Sequence, residues 1–150
     1  MVENIRHAGE LIAIIVKGGP EKEGISFLSP QESSLQLGFM AHSAGKIVDA
    51  HVHNKVERKI TSTAEAIFVL SGKVRVDFYD DDRRYLESRT LSGGDVTLLL
   101  GGGHGLAMLE DSKMFEVKQG PYVGELDKVR FKGVEPGKVK MGGGTSGGGS

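Results

Sequence analysis

The sequence predicts an all-β domain, and three observations carry that prediction. Short runs rich in Val, Ile, Leu and Phe alternate with polar residues at a period of two, the spacing of a strand with one buried face. Glycine is in excess, 23 of 150 residues, and mostly falls at turns between those runs. No stretch shows the apolar period of an amphipathic helix. About ten short strands with turns roughly every ten residues suit a sandwich, jelly roll or barrel, folds that pack or close their sheet edges.

In chain order, residues 1–10 give no clear period. Leu11–Val16 is β-branched and apolar throughout and stops at Gly18-Gly19-Pro20, which predicts a buried strand and a turn. Gly24–Leu28 is a short strand before Pro30. Ser34–Ala41 sets Leu35, Leu37 and Phe39 against Gln36, Gly38 and Met40. Lys46–His53 is the next strand, with Ile47, Asp49, His51 and His53 sharing a face. Residues 54–64 carry Lys55, Arg58 and Lys59 and no strand pattern. Ala66–Ser71 is a strand and Gly72 its turn.

Lys73–Tyr79 then sets Val74, Val76 and Phe78 against Arg75, Asp77 and Tyr79, a contrast that turns Arg75 and Tyr79 outward. Asp80-Asp81-Asp82 is a hairpin tip and Tyr85–Leu91 the return. Val96–Leu100 is broken by Gly101–Gly103. His104–Leu109 and Met114–Lys118 form the last pair. The expected domain therefore covers residues 1–120, with 121–141 as a C-terminal extension over the barrel or into a partner subunit. Six glycines in residues 142–150 read as a flexible Gly/Ser linker or an appended tail.

Composition narrows the function classes. Nineteen basic and 20 acidic residues give a net charge of −1, so no basic excess points to nucleic acid. No apolar run is long enough to span a bilayer and no signal peptide is visible, so a cytoplasmic location is expected. With no cysteine, the metal donors left are imidazole and carboxylate. His51 and His53 fall on one strand face. Glu57 and Glu65 follow, and His104 sits after three glycines. Such donors suit Fe, Mn, Ni, Co, Cu or Zn without selecting among them.

These residues carry a resemblance. Gly45, five residues, His51-Val52-His53, then Glu65, six residues and Gly72 resembles the first motif of the cupin superfamily. Gly94-Asp95, an apolar run and Gly101-Gly102-Gly103-His104 resembles the second. The resemblance covers roughly residues 35–118. It implies a single-domain, cupin-type jelly-roll β-barrel holding one divalent transition metal on His51, His53, Glu65 and His104. Glu57 stands at the family's usual offset from His53. Glu65 is preferred because only Glu65 has a strand and a glycine behind it.

Eleven residues separate His53 from Glu65, more than the family pattern has. They read either as a solvated loop or as a lid in which Arg58 or Lys59 meets an anionic group, and Glu57 either as a solvated loop charge or as a base. The implied function is a metal-dependent enzyme of oxygenase, isomerase or lyase type acting on a small polar or anionic molecule. The alternatives are a non-catalytic small-molecule or metal-binding module, or a cupin of the sugar-nucleotide isomerase or epimerase kind. A homodimer is expected, with Leu11–Val16 pairing by edge addition. Neither a nucleic-acid nor a membrane partner is expected.

Overall fold

The computed structural model describes residues 1–19 and 22–143. Ten strands form three antiparallel sheets: β1 (Val2–His7), β2 (Glu10–Val16), β3 (Gly24–Phe27), β4 (Gly38–Ala41), β5 (Glu65–Ser71), β6 (Lys73–Tyr79), β7 (Tyr85–Ser92), β8 (Val96–Leu99), β9 (Gly103–Met108) and β10 (Lys113–Lys118). The largest sheet has the order β1-β2-β8-β5-β10, the second β7-β6-β9, and β3-β4 is a separate hairpin. Two single 3-10 turns, Gly124–Leu126 and Pro136–Lys138, follow β10.

The uniform apolarity of β2 has a simple cause. Its strand lies inside the five-stranded sheet, and both faces of that sheet are covered. Ala13 and Ile15 pack with Ile5, Ile67, Val69 and Leu99 against Val74, Val76, Phe78 and Leu91 of the second sheet. On the other face Ile14, Val16, Ala66 and Leu98 lie under Leu28, Leu35 and Leu37 from the segment that joins β3 to β4. A strand buried on both faces reads as a continuous apolar run rather than an alternating one. Because β2 is interior, it offers no edge to a second subunit. The edges of this sheet are β1 and β10, which corrects the expected pairing through Leu11–Val16.

Three further expectations change. β1 was invisible in the sequence because only Ile5 of its six residues is buried; the strand is held by its pairing with β2. The predicted strand at Lys46–His53 does not form. Between Lys46, which donates to Ser43 O at 3.2 Å, and Ala64, which accepts from Gln119 N at 3.0 Å, no backbone bond among the described residues ties the segment to a sheet. Alternation sets a face, but a strand also needs partners for its backbone groups.

Arg75 and Tyr79 do not face solvent either. Val74, Val76 and Phe78 enter the core, and Asp77 and Tyr79 on the opposite face are buried as well. That second face is covered by the C-terminal segment: Val134 N donates to Tyr79 Oη at 2.9 Å, and the Phe131 ring packs edge-on to Tyr79 at 5.0 Å. Farther on, Ser88 N donates to Lys140 O and Gly142 N to Ser88 O. Gly142 is thus bonded to β7, while the rest of the expected tail, from Gly144 onward, lies outside the described residues.

Glycine matters most at two turns. Gly72, at φ +83°, joins β5 to β6, and a Cβ there would strike the Asp111 carbonyl and Ser112. Gly102, at φ +64°, lets the chain before β9 press against the Tyr79 carbonyl. Both conformations are ones that glycine adopts without steric cost.

Among the described residues, two buried side-chain polar atoms lack a partner, Gln119 Oε1 and the Thr97 hydroxyl, and the second lies in the core. Thr97, fully buried in β8 between Ile15 and Ile67, leaves its hydroxyl without a partner. An orphaned buried hydroxyl costs free energy that an isosteric methyl does not. Thr97→Val should raise unfolding stability by about 1 kcal/mol in urea denaturation; an equal loss would show that the hydroxyl is satisfied.

Candidate functional site

The site forms where the two large sheets meet at their glycine-rich end. Glu65 begins β5 and shares its inward face with Ile67 and Val69. Its neighbours in the sheet are Leu99 of β8 and Lys118 of β10. His104 enters from the other sheet, where it pairs with Phe78 across β6–β9 and so faces the same interior. The His104 Nε2 atom lies 3.1 Å from Glu65 Oε2, with the side chains 32% and 13% exposed.

The hydrogen bond from His104 is the largest influence on Glu65 and holds its carboxyl below the usual range. Burial opposes it, and the charges of His104, Lys118 and Lys128 add to it. Lys118 is itself engaged, its Nζ 2.8 Å from Asp127 Oδ2, which ties the C-terminal segment to the same end of the sandwich. Asp127 raises the Lys118 pKa through that hydrogen bond, against desolvation.

Around this pair runs a cleft of about 1090 Å³ bounded by Thr61–Thr63, Gly101–Gly105, the Arg75–Asp77–Tyr79 face of β6 and residues 123–133. Its polar wall is a closed network. Arg75 donates to both carboxylate oxygens of Asp77, at 2.7 and 3.0 Å. The Ser88 hydroxyl donates to Asp77 Oδ1, and Tyr85 Oη lies 2.7 Å from Ser88 Oγ. Lys140 N donates to Tyr85 Oη at 2.8 Å. A network satisfied at each member rigidifies its surroundings, and here it fastens the C-terminal segment to β6 and β7.

The sequence-derived candidates separate into two groups. Glu65 and His104 come together. His51 and His53 lie on the exposed segment between β4 and β5, their rings edge to face at 5.2 Å and His51 Nδ1 3.0 Å from the Asp49 carbonyl. Among the described residues no group of three or more His, Asp or Glu is arranged to hold a metal ion. Glu57 and Arg58 are exposed on the same segment; Arg58 donates to the Val56 carbonyl at 3.4 Å. The cleft lining begins at Thr61, beyond both.

Lys118, Asp127, Ser88 and Tyr85 join the site without having been candidates from the sequence. Lys118 had a signal, since a strand-end lysine opposite Glu65 shares its face. Asp127 had none, because residues 121–141 show no period.

The chain matches no known protein family, no curated protein and no solved structure. Among the described residues no helix is long and apolar enough to cross a membrane.

A carboxylate whose folded pKa is depressed adds stability above its unfolded pKa and loses it as pH falls through the folded value. His104→Ala removes the main lowering influence and leaves burial to raise the group. The Glu65 carboxyl, followed by carboxyl-carbon NMR, should then titrate at higher pH, and the share of acid destabilisation that Glu65 contributes should shrink, because its folded pKa no longer lies below its unfolded one. An unchanged Glu65 titration would show that the 3.1 Å contact is absent in solution.

Proposed function

We propose that this chain is a small cupin-like protein whose sandwich is the body of a jelly roll and whose Glu65 and His104 belong to a divalent-metal centre. The observation that carries the reading is the approach of these two side chains to 3.1 Å at the mouth of the cleft. Carboxylate and imidazole are matched donors for first-row divalent ions, and they stand on strands of opposite sheets, where their directions are fixed. Their chemistry fits half of the four-residue set that the cupin resemblance implies. His51 and His53 are the other half.

The surroundings suit a small anionic ligand. Arg83, Lys128 and Arg130 bring cationic groups to the cleft, and Arg75 adds a guanidinium already paired with Asp77. In this reading Glu65 and His104 hold the ion, and the cationic rim orients a carboxylate or phosphate. The C-terminal segment excludes water from the Tyr79 side. A bound divalent ion would supply Lewis acidity toward a substrate oxygen. The reaction class is metal-dependent oxygenation, isomerisation or elimination.

A second reading, a metal- or small-molecule-binding module without catalysis, is favoured by one observation. Three acids of the cleft wall are engaged: Asp77 by Arg75 and Ser88, Asp80 by the Arg84 amide, and Asp127 by Lys118. None of these three is left unpaired to move a proton. Glu57 remains the candidate base, carried by the exposed segment.

Titration with Co2+, followed by calorimetry and visible absorption, tests the metal reading. Wild-type protein should bind one ion per chain, and His104→Ala should weaken binding by more than about tenfold, since disturbing even an outer partner of a ligand costs that much. Glu57→Ala should leave affinity unchanged. Equal affinity in wild type and His104→Ala would remove the centre.

A further inference from the structure

The segment between β4 and β5 is built like a strand and has no strand to pair with. Residues 47–53 place Ile47, Asp49, His51 and His53 on one face and Val48, Ala50 and Val52 on the other. In this chain the segment runs exposed, with Ile47 at 79% and Val52 at 86% of full exposure. Apolar side chains spaced for a strand yet left in water indicate a face that is covered elsewhere.

The sandwich has a matching vacancy in its pairing. β9 and β10 follow one another across a short turn yet belong to different sheets, each at the end of its sheet. Each therefore presents an unpaired backbone edge, a template for an added strand. The side chains there are apolar on both faces: Leu106 and Met108 on the core side of β9, Phe115 and Val117 on the outer side of β10. Glu65 and His104 lie at the end of the same opening.

We propose that the segment 42–62 of a second copy of this chain pairs with the open β9 and β10 edges, and that its His51 and His53 complete the Glu65–His104 centre in trans. The inference rests on the metal reading above for the role of the histidines, but not for the exchange itself. A strand added at these edges with Ile47 toward Leu106 and Met108 brings His51 and His53 to the interior face. Val48 and Val52 then lie on the face of Phe115 and Val117.

The occupant is a second copy because this chain itself carries the required strand: the alternation, the apolar pairs and the two imidazoles all belong to this segment. Its own sandwich leaves it solvated between two anchors, Ala41 of β4 and Glu65 of β5. Exchange of identical segments between copies is reciprocal and closes with two-fold symmetry. Each dimer would carry two centres, each built from both chains.

The test combines mass with complementation, using Co2+ as the probe. Light scattering of the full chain should give a dimer, and Val52→Asp, on the exposed segment and outside the ligand set, should give a folded monomer. His51→Ala/His53→Ala and Glu65→Gln/His104→Ala proteins should each lose Co2+ binding. Refolded together as an equal mixture, they should recover about one quarter of the wild-type Co2+ per chain, because half the dimers are mixed and each holds one intact centre.

A monomeric wild type overturns the exchange, as does a dimer whose mass Val52→Asp leaves unchanged. A wild type that binds Co2+ while the mixture recovers none also overturns it, since each chain then uses its own segment. If the wild type is a dimer that Val52→Asp dissociates but it binds no Co2+, the exchange stands and the metal reading fails.

Discussion

The five-stranded sheet must be covered on both faces, and most of the structure follows from that constraint. Its central strands β2 and β8 are apolar front and back, so one layer cannot satisfy them. The β7-β6-β9 sheet covers the front, and Leu28, Leu35 and Leu37 cover the back. At fully buried residues such as Ile14, Ile15 and Leu98, each side chain contributes roughly 1.5–3 kcal/mol of apolar transfer. Two facing sheets whose last strands do not pair with one another leave an opening on one side, between β9 and β10. The fold's principal order and its principal vacancy thus have the same origin.

The candidate site lies where side chains of the two facing sheets meet. Glu65 arrives on β5 and His104 on β9, and their contact spans the two sheets at the glycine-rich end. Arg89 spans them elsewhere, with its guanidinium 3.0 Å from Glu3 on β1 and 2.9 Å from Glu87 on its own strand. In Glu3 burial is the largest influence, yet the pairing with Arg89 and Lys17 outweighs it and lowers the pKa. The C-terminal segment adds a third cover through Lys118–Asp127, Tyr79–Val134 and Tyr85–Lys140. The cleft is therefore walled by rigid strands on one side and by a strap held at fixed polar points on the other.

Much of the strand order was legible because burial writes itself into the sequence. The runs at Leu11–Val16, Ala66–Ser71 and Val96–Leu100 hold most or all of β2, β5 and β8, and the Lys73–Tyr79 alternation became β6. The orientation of Arg75 and Tyr79 was not legible. Period two separates two faces, but it cannot say that a segment without period, residues 121–141, returns to cover the polar one. The pattern at Lys46–His53 is a strand's pattern, yet pairing is a property of what lies alongside, and in one chain nothing does. Of the metal set, Glu65 and His104 converge because each sits on a strand of the sandwich. His51 and His53 do not, because their segment is bonded to neither sheet.

The most direct test of a metal centre seeded by Glu65 and His104 is X-ray absorption at the cobalt edge of the Co2+-loaded protein. Such a centre should show imidazole scattering together with carboxylate oxygen in the first shell, with the imidazole signal reduced in His104→Ala. A shell of oxygens alone, the same in wild type and variant, would contradict it.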